Sequence, residues 1–119
     1  PRSTLFPYTT LFRSKDMDIK KIQELCSKKA LRWTNHMFLR MVQRNISMQD
    51  AVNAIMGGEI IEDYPDDYPY PSCLIIGHTI GNETIHVVCG VGEGEVWLIT
   101  VYYPDKEKWS DDFKARKES

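Results

Sequence analysis

The sequence predicts an α+β fold in which N-terminal helices pack on a mainly antiparallel sheet of about four strands. Three observations carry this. Apolar residues recur at helical spacing up to residue 56 and switch to a period of two from residue 59 onward. Short glycine turns, GN (81–82) and GEG (92–94), join the last three apolar runs, as in an antiparallel meander. Helices grouped ahead of strands read as α+β. With 119 residues the chain has room for one core rather than two.

In DIKKIQELCSKKA (18–30), Ile19, Ile22, Leu25 and Cys26 form one helical face, with Asp18 as N-cap. ALRW (30–33) is either an edge strand or a lead-in. Thr34 is the natural N-cap of a helix over 35–45, whose apolar face is Met37, Phe38, Met41 and Val42. SMQD (47–50) reads as a capping box with Asp50 in the acceptor role, and the helix it opens stops at Gly57-Gly58. EIIEDY (59–64) is a strand candidate. The three prolines of PDDYPYP (65–71) make a stiff loop. SCLIIGHTI (72–80), ETIHVVCGV (83–91) and EVWLITVYY (95–103) are the meander. In the polar tail, Trp109 and Phe113 are spaced for one last helical turn against the body.

Residues 1–14, PRSTLFPYTTLFRS, stand apart. TLFPYTTLFRS looks like the in-frame translation of a widely used DNA sequencing adapter, so this stretch is expected to be an artefactual, disordered or loosely docked tail. The domain is then residues 15–119.

The apolar fraction of 42% and charged fraction of 27% are those of a soluble globular protein. The charge is split. Residues 15–44 hold eight Lys/Arg against three Asp/Glu, and residues 45–119 hold five against fourteen. The overall net charge of −2 argues against tight nonspecific nucleic-acid binding but leaves room for a local basic groove. Three cysteines, with no CxxC pair, read as reduced thiols of a cytoplasmic protein. No apolar run reaches the roughly 18 residues of a membrane span.

The first constellation is His36, Arg40 and Arg44, each four residues from the next and therefore on one helical stripe. Two arginines at that spacing repel by a few tenths of a kcal/mol. The stripe is either a plain solvated face or a site for a phosphate or carboxylate, which guanidinium groups hold with two donors each. The second is His86, mid-strand, which reads either as a sheet residue or as a proton-transfer group. Tyr102 or Tyr103 on the next strand shares its face, depending on a register that GEG leaves open. His78 falls near a strand end. The three histidines have no metal-ligand spacing, and there is neither a phosphate-binding glycine loop nor a nucleophile elbow. No metal or cofactor is expected. The acidic loop EDYPDDYPYP is either a partner surface or a solvated connection.

WTNHMFLRMVQRNIS, GGEIIEDYPDDYPYPSCLIIG, IHVVCGV and ITVYYPDKEKW, in this order, resemble a domain-of-unknown-function family of small bacterial proteins. Its members are commonly encoded beside zinc-finger antitoxins of the YgiT (MqsA-like) type, and it looks like a remote branch of the RelE/BrnT-type toxin superfamily. The resemblance spans about residues 18–116. The family's T-x-H-x-x-x-R-M-x-x-R pattern falls on Thr34, His36, Arg40, Met41 and Arg44. Its H-V-V falls on His86, Val87 and Val88, and its T-x-Y on Thr100 and Tyr102. Met37 stands where a small residue is usual. The resemblance implies a RelE/BrnT-like fold, a metal-independent endoribonuclease acting on RNA, and a cognate antitoxin of zinc-finger type. It would make His36 or His86 the base or acid, Arg40 and Arg44 the phosphate clamps, and Tyr102 a proton donor or orienting hydroxyl. The alternative is a non-catalytic protein-binding module, or a degenerate toxin of the same fold.

Overall fold

The computed structural model describes residues 17–117, so the adapter-like stretch lies outside the described residues. The Asp18 carboxylate accepts from the Lys20 N–H at 2.9 Å and opens α1 (Ile19–Ser27), which buries Ile22, Leu25 and Cys26. A left-handed Lys29 (φ 61°) turns the chain into β1 (Leu31–Trp33). The Thr34 hydroxyl caps α2 (Asn35–Arg44), accepting from the Met37 N–H at 3.1 Å. The same hydroxyl donates to the Leu98 carbonyl at 2.9 Å, which pins the start of α2 to the sheet. Asn45, at φ 57°, ends the helix in the conformation asparagine tolerates best after glycine. Ser47 and Asp50 exchange both capping-box bonds, each at 3.0 Å, at the start of α3 (Met48–Met56).

The strands are β2 (Glu59–Tyr64), β3 (Ser72–His78), β4 (Thr84–Gly92) and β5 (Glu95–Tyr102). They lie in the order β1-β5-β4-β3-β2. The sheet thus has five strands rather than about four, and it is mixed. ALRW supplies the fifth, which pairs parallel to β5, with Leu31 opposite Val96 and Trp33 opposite Leu98. Three residues are too few to show a period, and their partner lies more than sixty positions away.

One face of the sheet meets the helices in a core that includes Ile22, Met37, Met41, Ile55, Ile75, Val87, Leu98 and Val101. α3 lies so close to β3 that a Cβ on Gly77 would fall 2.1 Å from the Ala54 carbonyl oxygen. The expected apolar face of α2 is too wide. Met37 and Met41 are buried, but Phe38 is 42% and Val42 80% exposed. α2 enters the core along one narrow ridge of residues four apart, and Phe38 lies beside it, stacked on Trp33 with ring centroids 6.1 Å apart.

The opposite face carries Leu74, Ile76 and His86, all buried although outside that core. Its cover is the C-terminal segment. The expected helical turn over Trp109 and Phe113 does not form. The Asp112 carboxylate accepts from the Ser110 hydroxyl at 2.6 Å and from the Lys114 N–H at 3.0 Å, which folds the chain into a turn. Phe113 takes φ 62°, and Trp109 bridges Arg116. The segment lies over the sheet as a strap, with Trp109 buried beneath it.

Candidate functional site

The stripe on α2 presents its three side chains together. Arg40 Nε–H points at His36 Nε2 at 3.4 Å, and Arg40 Nη1 donates to the Gln43 side-chain carbonyl at 2.6 Å. Arg44 Nη1 reaches the same oxygen at 3.4 Å. A neutral amide oxygen thus sits between two guanidinium groups where a carboxylate would be expected. Among the described residues neither Arg40 nor Arg44 has a carboxylate partner, whereas Arg32 pairs with Glu95 at 3.0 Å and Arg116 with Glu62 at 2.8 Å. His36 is exposed, and the two arginines are half-buried.

The second cluster is built around His86. The β4–β5 register slips at Val88/Cys89, leaving Ile99 unpaired, and this sets Tyr102 opposite His86. His86 Nε2 lies 2.9 Å from the Phe113 carbonyl, which only accepts, so Nε2 carries the proton. Nδ1 is then the acceptor for the Tyr102 hydroxyl at 3.2 Å. The Trp109 ring stands edge-on to the imidazole, with centroids 4.5 Å apart. Beyond it, Arg116 makes two bonds to Glu62, at 2.8 and 3.1 Å, and the Tyr64 hydroxyl donates to Glu62 at 2.5 Å. Burial pushes the imidazole below its ordinary value, against an opposing pull from the Phe113 carbonyl and Glu62. Arg116 holds the Glu62 carboxyl low. Tyr64 is pushed up to about 12 by burial and by the adjoining Glu62. His86 is accordingly a neutral ring with both nitrogens satisfied, sealed under the strap.

These shifts predict a pH dependence. In the unfolded chain His86 takes up a proton near pH 6.5, and the buried ring does so only at lower pH. Its contribution to stability is therefore complete above about pH 6.5 and lost as pH falls, by at most about 1.4 kcal/mol per pH unit. Glu62, whose folded value is lowered, adds a loss of the same direction at more acidic pH. Urea unfolding between pH 5.5 and 7.5 should show this slope in the wild type and a flatter one in His86→Leu. Equal slopes would mean that His86 is not the titrating group.

The structure therefore brings His36 and Arg40 into contact, places Arg44 with them through Gln43, and brings His86 to Tyr102. No hydrogen bond, ion pair or ring contact among the described residues joins one group to the other. His78 ends β3 and is exposed. Glu62, Tyr64, Trp109 and Arg116 were not legible as neighbours of His86. The one signal was Trp109 itself, a large apolar ring in a polar tail that needs cover. Among the described residues no helix is long and apolar enough to cross a membrane.

The class of domain is α+β: helices on one face of a mixed sheet, with an arginine–histidine stripe on a helix and a sealed histidine on the other face of the sheet. The chain belongs to the family described as domain of unknown function DUF4258, whose model matches residues 33–103, more than half of the chain. The match begins at Trp33 and so takes in all three members of the stripe, along with His86 and Tyr102. No curated protein and no solved structure matches the chain.

Proposed function

We propose that this protein is the toxin of a toxin–antitoxin pair, a RelE/BrnT-like domain that cuts RNA without a metal and is neutralised by an antitoxin of zinc-finger type. The observation that supports the reading is the pair Arg40 and Arg44, held on one helical stripe with the exposed His36 and, among the described residues, given no carboxylate. A phosphate diester arriving there would take the donors that Gln43 now occupies alone. A cytoplasmic setting goes with this reading, and the three free thiols are in keeping with it.

In this reading the ribose 2′-OH gives its proton to His36 Nε2 and its oxygen attacks the adjacent phosphorus. Arg40 and Arg44 neutralise the phosphorane oxygens, the 5′-oxygen leaves and takes its proton from water, and the His36 imidazolium gives its proton back to the solvent. The products are a 2′,3′-cyclic phosphate and a 5′-hydroxyl end. The Arg40–His36 contact at 3.4 Å is long enough to yield once Arg40 turns to the phosphate. His86 and Tyr102 join the chemistry only with residues 104–117 lifted away, so proton transfer rests on His36. The acidic second half disfavours docking on a larger RNA assembly and favours exposed RNA.

The non-catalytic binding module is favoured by a different observation, the complete burial of His86 under the strap. Two measurements separate the readings. Induced expression of the wild type should arrest growth, and His36→Ala and Arg40→Ala, each folded, should not. Purified wild type should cleave an RNA oligonucleotide in EDTA, with His36→Ala slower by about 100-fold or more. A folded wild type that neither arrests growth nor cuts RNA would leave the module.

A further inference from the structure

Residues 65–71 fold back over the face of the sheet that the helices leave bare. Tyr70 presses on β4 so closely that a Cβ on Gly92 would fall 2.1 Å from its ring. The same ring lies 5.4 Å from Trp97 at a tilt of 34°. Trp97 is fixed in turn, its Nε1–H donating to the Gly92 carbonyl at 3.1 Å. Tyr68, Tyr70, Trp97 and Asp67 line a cavity of about 110 Å³ at this place. Tyr68 is 95% exposed, so its ring stands at the rim with almost nothing on it.

The chemistry of the lining selects a class of occupant. Three aromatic side chains and one carboxylate around a small cavity favour an organic cation, which the ring faces attract and the carboxylate neutralises. The surroundings agree. Asp66 and Asp67 lie in the loop, Glu93 in the β4–β5 turn and Glu95 at the start of β5. Of these, Glu95 is paired with Arg32 at 3.0 Å. Asp67 is held in place by the Ser72 hydroxyl and Glu93 by the Tyr70 hydroxyl. This acidic rim would repel the phosphates of a nucleic acid. Trp97 also shows its taste within the chain, since the Arg32 guanidinium from the neighbouring strand lies 5.8 Å from its ring centre.

We propose that this cavity recognises an arginine side chain on a basic segment of a partner polypeptide. A planar guanidinium stacks between rings and reaches a carboxylate with two donors, which an ammonium does not. The pocket shares no lining residue with His36, Arg40 or Arg44, so it stands or falls apart from the ribonuclease reading.

The test uses the whole chain labelled with nitrogen-15, and reads the Trp97 indole N–H resonance during titration. The probes are a short arginine-containing peptide and the same peptide with citrulline, which keeps the shape and removes the charge. The arginine peptide should move the resonance saturably, and the citrulline peptide should bind about fivefold more weakly or worse. Tyr68→Ala, at a position exposed enough to leave the fold intact, should weaken the arginine peptide to a similar degree. Equal binding of the two peptides, unchanged binding by Tyr68→Ala, or a Trp97 shift with an RNA oligonucleotide and not with the peptide would each overturn the proposal.

Discussion

Gly77→Ala is expected to cost about 3 kcal/mol of stability, a large share of the 5–15 kcal/mol that holds a typical domain together. The reason is the contact between α3 and β3. An added Cβ would fall 2.1 Å from the Ala54 carbonyl oxygen and 2.6 Å from the Ala54 carbonyl carbon and Cα. All three are backbone atoms of a helix, so no side chain can swing aside, and α3 itself must lift from the sheet. Overpacking by one methyl commonly costs about 1–3 kcal/mol, and a rigid neighbour puts this site at the top of that range. Ala54 and Ile55, both fully buried, would lose contact as α3 moved. Gly57→Ala is the control, since its Cβ would meet only the Asn53 carbonyl oxygen, at 3.7 Å. Urea unfolding followed by circular dichroism should show a large drop in midpoint for Gly77→Ala and almost none for Gly57→Ala. If the two variants unfold alike, the helix does not rest on the strand as described.

Trp109→Ala should be about as damaging, at roughly 3–5 kcal/mol, the usual range for deleting a buried aromatic ring. Trp109 is 4% exposed and closes the space above His86. The Arg116 guanidinium lies 4.7 Å from its ring centre, so the ring also seats the residue that pairs with Glu62. The ion pairs Arg116–Glu62 and Lys114–Glu59 cannot hold the strap in its place, because the Arg116, Lys114 and Glu59 side chains are more than half exposed. Pairs of this kind contribute about 0–1 kcal/mol each. Arg116→Met should therefore cost far less than Trp109→Ala. The tryptophan variant should also rehydrate His86 and bring its titration back toward the ordinary value, so the slope of stability against pH should shrink with it. A loss below about 1 kcal/mol in Trp109→Ala would mean that the strap is not docked on the sheet.

What could be read from the sequence was what is decided locally. Asp18, Thr34 and the Ser47/Asp50 pair act on backbone groups two or three residues away, and each caps the helix expected of it. Short apolar runs bounded by turn residues located β2 to β5, although β3 is buried on both faces and shows no alternation. The sequence of β1 does not decide between strand and lead-in, because its pairing with β5 is non-local. Periodicity gives the direction of burial on α2 and not the breadth of the contact, which here is a ridge of Met37 and Met41. The same division runs through the candidate site. The His36–Arg40 contact follows from a spacing of four on a helix. The His86–Tyr102 pairing depends on the bulge at Ile99, which a hairpin turn does not announce. Glu62, Trp109 and Arg116 meet His86 only because the C-terminal segment returns across the sheet, and its helical spacing of aromatic residues pointed to a different shape.

The placing of β1 beside β5 has a consequence for how the chain comes to be folded. Among the described residues, the first strand in sequence pairs with the last of them, β5. During synthesis α1 can meet α3 early, since Gln23 donates to the Ile55 and Met56 carbonyls, but α2 lacks the strand on which it buries Met37 and Met41 until β5 has followed it. The meander β2–β3–β4 can zip up hairpin by hairpin, but β1 and α2 join the sheet late, and such long-range closure is the slow kind. Until then the growing chain carries an unfinished apolar face, which is the state in which nascent proteins draw chaperones or one another.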